Sequence, residues 1–261
     1  MSVPAAATGN RWVLRYPAPE ASVRLFCFPY AGAGASVFRS WAALLPPWVE
    51  LCAVQLPGRE TRVAEPPRRR LDDLVREASA ALAPLLDPPY AFFGHSLGAL
   101  LAFEVCRAFR QAGWPLPQQL LVSAHAAPQL AYLRRLLSRL PDPQLLQELR
   151  RYQGTPEAVL QNAELMRLLL PVVRADFELL DTYAYSPEPA LEIPICAFAA
   201  LDDTEVRFAD VAAWREQTVT TFGLRQYLGG HLFLLRSAAD VVNAVCNELG
   251  PLAGGIPAQY F

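Results

Sequence analysis

The chain has 261 residues, 53% of them hydrophobic, so it can bury a large core and is expected to form one domain over residues 1–261. Its 23 Lys and Arg nearly balance its 25 Asp and Glu, which excludes the strong positive field of a nucleic-acid-binding or membrane-surface protein. The first ten residues lack the charged and apolar regions of a secretory signal, and no apolar run is long enough to span a bilayer, so we expect a cytoplasmic protein.

The cysteines and histidines argue against a metal centre. The five cysteines are widely spaced within apolar patterns, there is no Cys-x-x-Cys pair, and there are only three histidines. We therefore expect reduced cysteines packed in the core and no metal site. We also expect no bound cofactor.

Short apolar runs alternate with helical patterns along the chain. In chain order the patterns predict strand 23–28, helix 36–45, strand 51–55, helix 71–86, strand 90–93, helix 98–111, strands 119–123, 193–199 and 224–228, and helix 238–249. Such alternation predicts an α/β fold with a mostly parallel central sheet and helices on both faces.

The strand pattern stops between about residues 128 and 189. Leu-rich helical segments are predicted there at 132–140, 143–152, 157–170 and 172–183. An insertion between two core strands would cover the carboxyl edge of the sheet, where open α/β sheets bind their ligands. We therefore expect a helical lid, with residues 128–143 as its mobile gate.

The pentapeptide Gly94-His95-Ser96-Leu97-Gly98 lies between a predicted strand and a predicted helix. This is the setting in which G-x-S-x-G forms a nucleophile elbow, a sharp turn that holds the serine in a strained conformation at the edge of the sheet. Ser96 is therefore the candidate nucleophile. His95 is expected to pack beside the elbow.

A serine hydroxyl needs an adjacent base that a carboxylate orients. His231 follows the last predicted strand and a Gly-Gly pair, and the chain order of serine, acid and histidine is that of α/β-hydrolases. The acid should follow the strand at 193–199, where we favour Asp203, at the fourth position of a turn, over its neighbour Asp202. The alternative for each is a structural role, as a loop histidine or a loop-capping carboxylate.

Attack on an acyl carbonyl creates an oxyanion, which needs preorganised N–H donors. Leu97, directly after the nucleophile, should supply one. Ala31, in the Gly-rich loop after the first predicted strand, should supply the second, although such a loop could also be a simple strand-to-helix turn. His125 follows another strand and could line the same cleft.

Several motifs together resemble a known family. They are FCFPYAG at 26–32, QLPGRE at 55–60 with Arg62, GHSLGA at 94–99, YQGTP at 152–156, LP at 170–171, RAD at 174–176 and GGH at 229–231. From about Arg24 to Leu235 the chain resembles the stand-alone type II thioesterases of polyketide and nonribosomal peptide synthesis. These belong to the α/β-hydrolase superfamily and are related to the medium-chain thioesterases of fatty acid synthesis.

The resemblance implies a catalytic triad of Ser96, Asp203 and His231. It implies that the substrate is an acyl chain in thioester linkage to the phosphopantetheine arm of an acyl or peptidyl carrier protein, and that the role is editing of stalled or misprimed acyl groups. Release of a finished medium-length chain, hydrolysis of small free esters and non-catalytic acyl binding are the alternatives. We expect a monomer, with no nucleic-acid or membrane partner.

The predicted lid offers apolar side chains for an acyl chain, although ordinary packing against the sheet would explain many of them. Arg59 and Arg62 match family positions, where contact with a carrier and a structural role in the loop are both open. The candidate acyl-binding side chains are Leu136, Leu146, Leu165, Met166, Leu169 and Phe177.

Overall fold

A seven-stranded sheet organises the chain, seen in a computed structural model that describes residues 10–87, 89–130 and 136–253. The strand order is β1-β3-β2-β4-β5-β6-β7, and all neighbours are parallel except the β1–β3 pair. The predicted mostly parallel sheet is therefore confirmed. The strands are β1 (Val13–Tyr16), β2 (Val23–Phe28), β3 (Val49–Val54), β4 (Tyr90–His95), β5 (Gln119–Ser123), β6 (Ile195–Ala200) and β7 (Phe222–Tyr227).

Strand β1 was not predicted. It has four residues at the edge of the sheet, and all four are only half-buried, so it lacks the continuous apolar pattern that marks the central strands. The six predicted strands are present, with ends that differ from the prediction by two residues or fewer.

Helices cover both faces of the sheet, as predicted. Helices α1 and α2 pack on one face, while α8 and a 3-10 helix at Ala35–Ala43 pack on the other. None of the helices in the described ranges is both long and apolar enough to cross a membrane. The α-helices are α1 (Leu71–Leu82), α2 (Leu97–Gln111), α3 (Asp142–Tyr152), α4 (Glu157–Leu160), α5 (Ala163–Asp181), α6 (Phe208–Ala212), α7 (Phe233–Arg236) and α8 (Ala238–Leu249).

The predicted helix at 36–45 is present, but this segment is wound as a 3-10 helix. Its buried side chains are Ala35, Phe38 and Trp41. A spacing of three residues matches the three residues per turn of a 3-10 helix, so this winding keeps the apolar side chains on one face. The predicted helix at 71–86 likewise ends as an α-helix at Leu82 and continues as a 3-10 turn.

Helices α3, α4 and α5 lie between β5 and β6, and residues 136–189 are called the helical insertion below. Of the predicted helix at 132–140, residues 132–135 lie outside the described residues, and Leu137–Arg139 is a 3-10 turn. The predicted break near Pro171 is wrong. Helix α5 begins where the Asn162 side chain caps it and runs through Pro171 to Asp181, because buried side chains on both sides of the proline hold the helix against the core.

The strand order brings two loops together. Strands β3 and β4 lie on opposite sides of β2. The chain therefore passes from β2 towards the β1 edge of the sheet, and from β4 towards the β7 edge. Such a point in an open α/β sheet opens a crevice at the carboxyl ends of the strands. The loops after β2 and β4 carry Ala31 and Ser96 to this crevice.

Candidate active site

Ser96 is the single residue between β4 and α2. Its backbone has φ 54° and ψ −118°, a conformation that residues with a side chain seldom adopt. Such strain persists only when the surroundings enforce it. It turns the chain sharply, so that the hydroxyl faces a cavity although the residue is only 7% exposed.

Two glycines make this turn possible. A Cβ atom added to Gly94 would lie 2.1 Å from the Gly98 carbonyl oxygen, and one added to Gly98 would lie 2.1 Å from the Phe28 carbonyl oxygen. No side chain fits at either position. Strand, turn and helix therefore pack in backbone contact, which is the physical reason for both glycines of the motif.

His231 lies between Ser96 and Asp203. Its Nε2 is 2.9 Å from Ser96 Oγ and its Nδ1 is 2.9 Å from Asp203 Oδ2. Because a carboxylate only accepts, the geometry assigns the ring proton to Nδ1, which leaves Nε2 to accept from the serine hydroxyl. The His231 and Asp203 side chains are 8% and 2% exposed, so both hydrogen bonds are shielded from water.

The second oxygen of Asp203 is also bonded. Oδ1 accepts from the backbone N–H groups of Glu205 and Val206, which fixes the carboxylate facing the imidazole. Asp202, the alternative acid, has a different partner: its Oδ2 accepts from the Gly229 N–H at 3.1 Å. The geometry thus joins Asp203 to the imidazole and leaves Asp202 closing the loop that carries His231.

The two expected oxyanion donors face no competing acceptor. Leu97 is the first residue of α2, so no carbonyl of a preceding helical turn is there to accept a hydrogen bond from its N–H. Ala31 occupies the second position of a turn at residues 30–33, where Ala33 N–H donates to the Tyr30 carbonyl and Gly32 has φ 81°. This is the geometry of a type II turn. Among the described residues neither N–H has a hydrogen-bond partner.

A cavity of about 430 Å³ opens beside Ser96 and is lined by the helical insertion. Met166, Leu169 and Phe177 line it, as the sequence predicted, and they recur on one face of α5. The other three predicted side chains do not: Leu136 and Leu165 are 40% and 42% exposed, and Leu146 packs against the core. The apolar walls also include Leu137, Leu149, Val173 and Leu180.

Helix α5 contacts the turn that carries Ala31 through a buried ion pair. Asp176 Oδ2 accepts from the Gly32 N–H at 2.7 Å, and both carboxylate oxygens pair with Arg59 at 2.6 and 2.7 Å. Arg59 also donates to the Ala33 carbonyl. The insertion is therefore bonded directly to the loop after β2.

Helix α3 similarly contacts the loop at residues 201–207, between β6 and α6, which carries Asp203 and is called the acid loop below. The Tyr152 hydroxyl donates to Glu205 Oε2 at 2.8 Å, and Arg151 pairs with Glu205 Oε1 at 2.6 Å. The Tyr152 ring also meets the His231 ring edge-on at 5.4 Å between centroids. The sequence predicted none of these contacts, although Tyr152 and Asp176 belong to the YQGTP and RAD motifs that carry the family resemblance.

His95 joins the elbow to the loop of His231. Its Nε2 is 2.9 Å from the His231 carbonyl oxygen and its Nδ1 is 2.9 Å from Ser123 Oγ. A carbonyl only accepts, so Nε2 carries the proton and Nδ1 accepts from the serine. Burial holds the pKa of His95 well below its usual range, so the ring is neutral. His125 instead bonds the Ala126 carbonyl and does not line the cavity beside Ser96.

Arg59 and Arg62 are both buried, which decides between the two interpretations of these side chains. Arg62 donates to the Gln55 carbonyl and pairs with Glu65, while Arg59 pairs with Asp176. Neither guanidinium is presented to a partner protein. Both hold the loop after β3 in place.

Comparison with known proteins gives a consistent result. Residues 23–251 match the thioesterase domain family. Gramicidin S biosynthesis protein GrsT of Aneurinibacillus migulanus is 43% identical over 241 residues, which cover 92% of this chain and 94% of that protein. Thioesterase PikA5 of Streptomyces venezuelae is 41% identical, covering 91% and 84%. The structure of the type II thioesterase BorB from the borrelidin biosynthetic cluster superposes with a TM-score of 0.84 at 38% identity, covering 91% and 97%.

Proposed function

This chain belongs to the thioesterase domain family and is a type II thioesterase with the α/β-hydrolase fold, and on that premise we propose that it hydrolyses acyl groups from the phosphopantetheine arm of acyl or peptidyl carrier proteins. Its role is to remove stalled or misprimed acyl groups in polyketide or nonribosomal peptide synthesis. The observation that carries the proposal is the hydrogen-bonded series Ser96, His231 and Asp203 at the wall of an apolar cavity.

The proposed first half-reaction makes an acyl-enzyme. Ser96 Oγ attacks the thioester carbonyl while His231 Nε2 takes its proton, and Asp203 stabilises the imidazolium that forms. The carbonyl oxygen becomes an oxyanion that accepts from the N–H groups of Leu97 and Ala31. Collapse of this intermediate breaks the carbon–sulfur bond, and His231 returns the proton to the departing thiol.

The second half-reaction uses the same groups with water. His231 Nε2 removes a proton from a water molecule that attacks the acyl-Ser96 carbonyl, and the two N–H groups again stabilise the oxyanion. Collapse breaks the bond between the acyl carbon and Ser96 Oγ, His231 returns the proton to Oγ, and the acid is released. Since a thiolate leaves more readily than an alkoxide, we propose that this deacylation is the slower step.

The proposal requires no cofactor of the enzyme's own, because side chains, backbone N–H groups and water supply every step. The phosphopantetheine arm belongs to the carrier and enters as substrate. We further propose that the helical insertion acts as a lid over the cavity and that the enzyme works as a monomer in the cytoplasm. Light scattering coupled to size-exclusion chromatography tests the monomer.

The decisive experiment replaces the nucleophile. Ser96→Ala should reduce hydrolysis of acyl-carrier thioesters by about 10⁴-fold or more, since the attacking group is lost. Labelling by a fluorophosphonate probe should disappear with it. Ser79→Ala, which alters a buried serine of α1 outside the site, serves as the matched control and should retain turnover and labelling.

Two results would contradict the proposal. A Ser96→Ala protein that keeps most of its turnover would exclude Ser96 as the nucleophile. Equal rates on matched oxyesters and thioesters, with no preference for carrier-bound over free substrate, would instead identify an esterase of small molecules. A profile across acyl lengths and branching then separates editing from release, because release of a finished product requires a preference for one chain length.

A further inference from the structure

The turn at residues 30–33 is held from outside by the helical insertion. Resting on the proposed function, we propose that Asp176 is a positioning residue through which helix α5 keeps the oxyanion donor Ala31 in its working geometry. The carboxylate touches neither the nucleophile nor the base. It acts through the backbone of the turn.

The first support is the pattern of hydrogen bonds. Asp176 Oδ2 accepts from the N–H of Gly32, and Arg59 Nη1 donates to the carbonyl of Ala33 at 3.0 Å. The ion pair therefore bonds both residues that follow Ala31. In a type II turn the N–H of the third residue belongs to the central peptide, so the carboxylate fixes the orientation of the peptide that begins at Ala31.

The second support is burial. Asp176 is 1% exposed and Arg59 is 5% exposed. Removing two charges from water is costly, and a well-packed apolar pair of similar volume often stabilises a fold equally well. Fold stability alone therefore does not explain why an ion pair is buried at this point. The hydrogen bonds from the pair to the backbone of Gly32 and Ala33 provide an explanation.

The third support is the close packing of α5 on the turn. A Cβ atom added to Gly32 would lie 3.0 Å from Val173 Cγ2, so the helix lies directly against the glycine. Val173 and Asp176 are three residues apart and face the same side of α5. Withdrawal of α5 would remove the van der Waals contact and the hydrogen bond together. The oxyanion donors are then fully assembled only when α5 is in contact with the turn.

The test compares Asp176→Asn with the wild-type enzyme. A neutral amide of the same shape disrupts the bidentate pair and weakens the hold on Gly32. We expect kcat on an acyl-carrier thioester to fall about 10- to 100-fold, in the range of a weakened oxyanion donor, with KM changed less than about 3-fold. Affinity for an acyl trifluoromethyl ketone, which forms an oxyanion on Ser96, should fall in parallel, while affinity for a non-hydrolysable thioether analogue stays the same.

The matched control is another buried arginine–carboxylate pair, at the amino ends of the strands. Arg24 Nε lies 2.7 Å from Glu50 Oε2, and both side chains are largely buried. Glu50→Gln should lower the melting temperature as Asp176→Asn does, but should leave kcat and ketone affinity unchanged. Equal losses of kcat in the two variants would reduce Asp176 to a general stabilising residue and overturn the proposal.

A second variant separates positioning from stability. Arg59→Met combined with Asp176→Leu refills the space with apolar atoms, so the melting temperature should recover while kcat and ketone affinity remain low. Recovery of wild-type kcat would overturn the proposal. Ketone binding needs no thioester turnover, so it tests Asp176 even if the wild-type enzyme fails on carrier substrates, a result that would contradict only the proposed function.

Discussion

The elbow at Ser96 and the helical insertion are held in place by different kinds of force. The elbow is enforced by steric contact, because an added Cβ would collide with the Gly98 carbonyl at Gly94 and with the Phe28 carbonyl at Gly98. The insertion packs against the core and is also joined to the loops after β2 and β6 by hydrogen bonds between residues distant in sequence, 144 residues apart for Asp176 and Gly32 and 53 for Tyr152 and Glu205. A sterically enforced turn has one geometry, whereas a hydrogen-bonded contact can open and reform. The difference agrees with the proposed roles, in which the elbow carries the chemistry and the insertion controls access.

The loop that carries Asp203 gives the largest expected effect, because Asp203 bonds the imidazole that contacts Ser96, and the neighbouring Glu205 bonds Tyr152 of the insertion. Asp203→Asn should lower kcat/KM by about 10³- to 10⁴-fold, since an amide facing Nδ1 favours the tautomer in which Nε2 cannot accept the serine proton. The measurement is release of the free thiol from an acyl-pantetheine thioester.

Asp202→Asn is the matched control for that variant. It changes the adjacent carboxylate, which bonds Gly229, and should cost less than about 10-fold, in line with the loss of one hydrogen bond. Similar losses in the two variants would show that the loop, and not one carboxylate, supports the imidazole.

The next largest effect should come from the steric contacts at the elbow. Gly98→Ala places a methyl group 2.1 Å from the Phe28 carbonyl oxygen, so strand and helix must separate. We expect the free energy of unfolding to fall by ~3 kcal/mol, even though alanine is the better helix former. Chemical denaturation measures it.

Gly113→Ala separates this clash from backbone strain. Gly113 has φ 67° and nothing within 4 Å of an added Cβ, so its substitution should cost only about 1 to 2 kcal/mol for the left-handed conformation. If Gly98→Ala cost no more than Gly113→Ala, the elbow would be far more adaptable than the contacts indicate.

What the sequence revealed follows the same division. The elbow was predictable because Gly94, Ser96 and Gly98 lie within five residues of one another, although the closest contact of Gly98 is with the distant Phe28. His231 and Asp203 were predictable from their order after recognisable strands. The contacts of Asp176 and Tyr152 were not predictable, because each is made with a partner that only folding brings near. The break expected at Pro171 failed for the same reason: burial of α5 outweighs a local helix breaker.

A smaller effect concerns pH and the neutral histidine behind the elbow. The pKa of His95 is held well below its ordinary value of 6.5 by burial, so the unfolded chain takes up a proton that the folded protein does not. Above the unfolded-state pKa of this histidine, both the folded and the unfolded protein keep it neutral, and its contribution to stability is fully present. As the pH falls below that pKa, proton uptake favours the unfolded chain and the contribution is lost. The free energy of unfolding should therefore decrease by up to about 1.36 kcal/mol for each pH unit below about 6.5 on account of this group.

His95→Gln tests that linkage by difference. The variant keeps a polar side chain but does not titrate, so its unfolding free energy should depend less steeply on pH than that of the wild-type protein. The other titrating groups are common to both proteins and cancel. A wild-type-minus-variant difference that stays constant as the pH falls would mean that His95 is protonated in the fold.

The smallest effect should come from a hydrogen bond between the insertion and the acid loop. Tyr152→Phe removes the hydroxyl that donates to Glu205 and keeps the ring against His231, so kcat/KM should fall only about 3- to 10-fold. Tyr183→Phe is the matched control, because its hydroxyl donates to Glu104 away from the cavity and its loss should leave kcat/KM unchanged. The order of effects is the critical result. If Tyr152→Phe impaired the enzyme as severely as Asp203→Asn, the insertion would take part in the chemistry itself, and the division between a fixed elbow and an adjustable cover would be wrong.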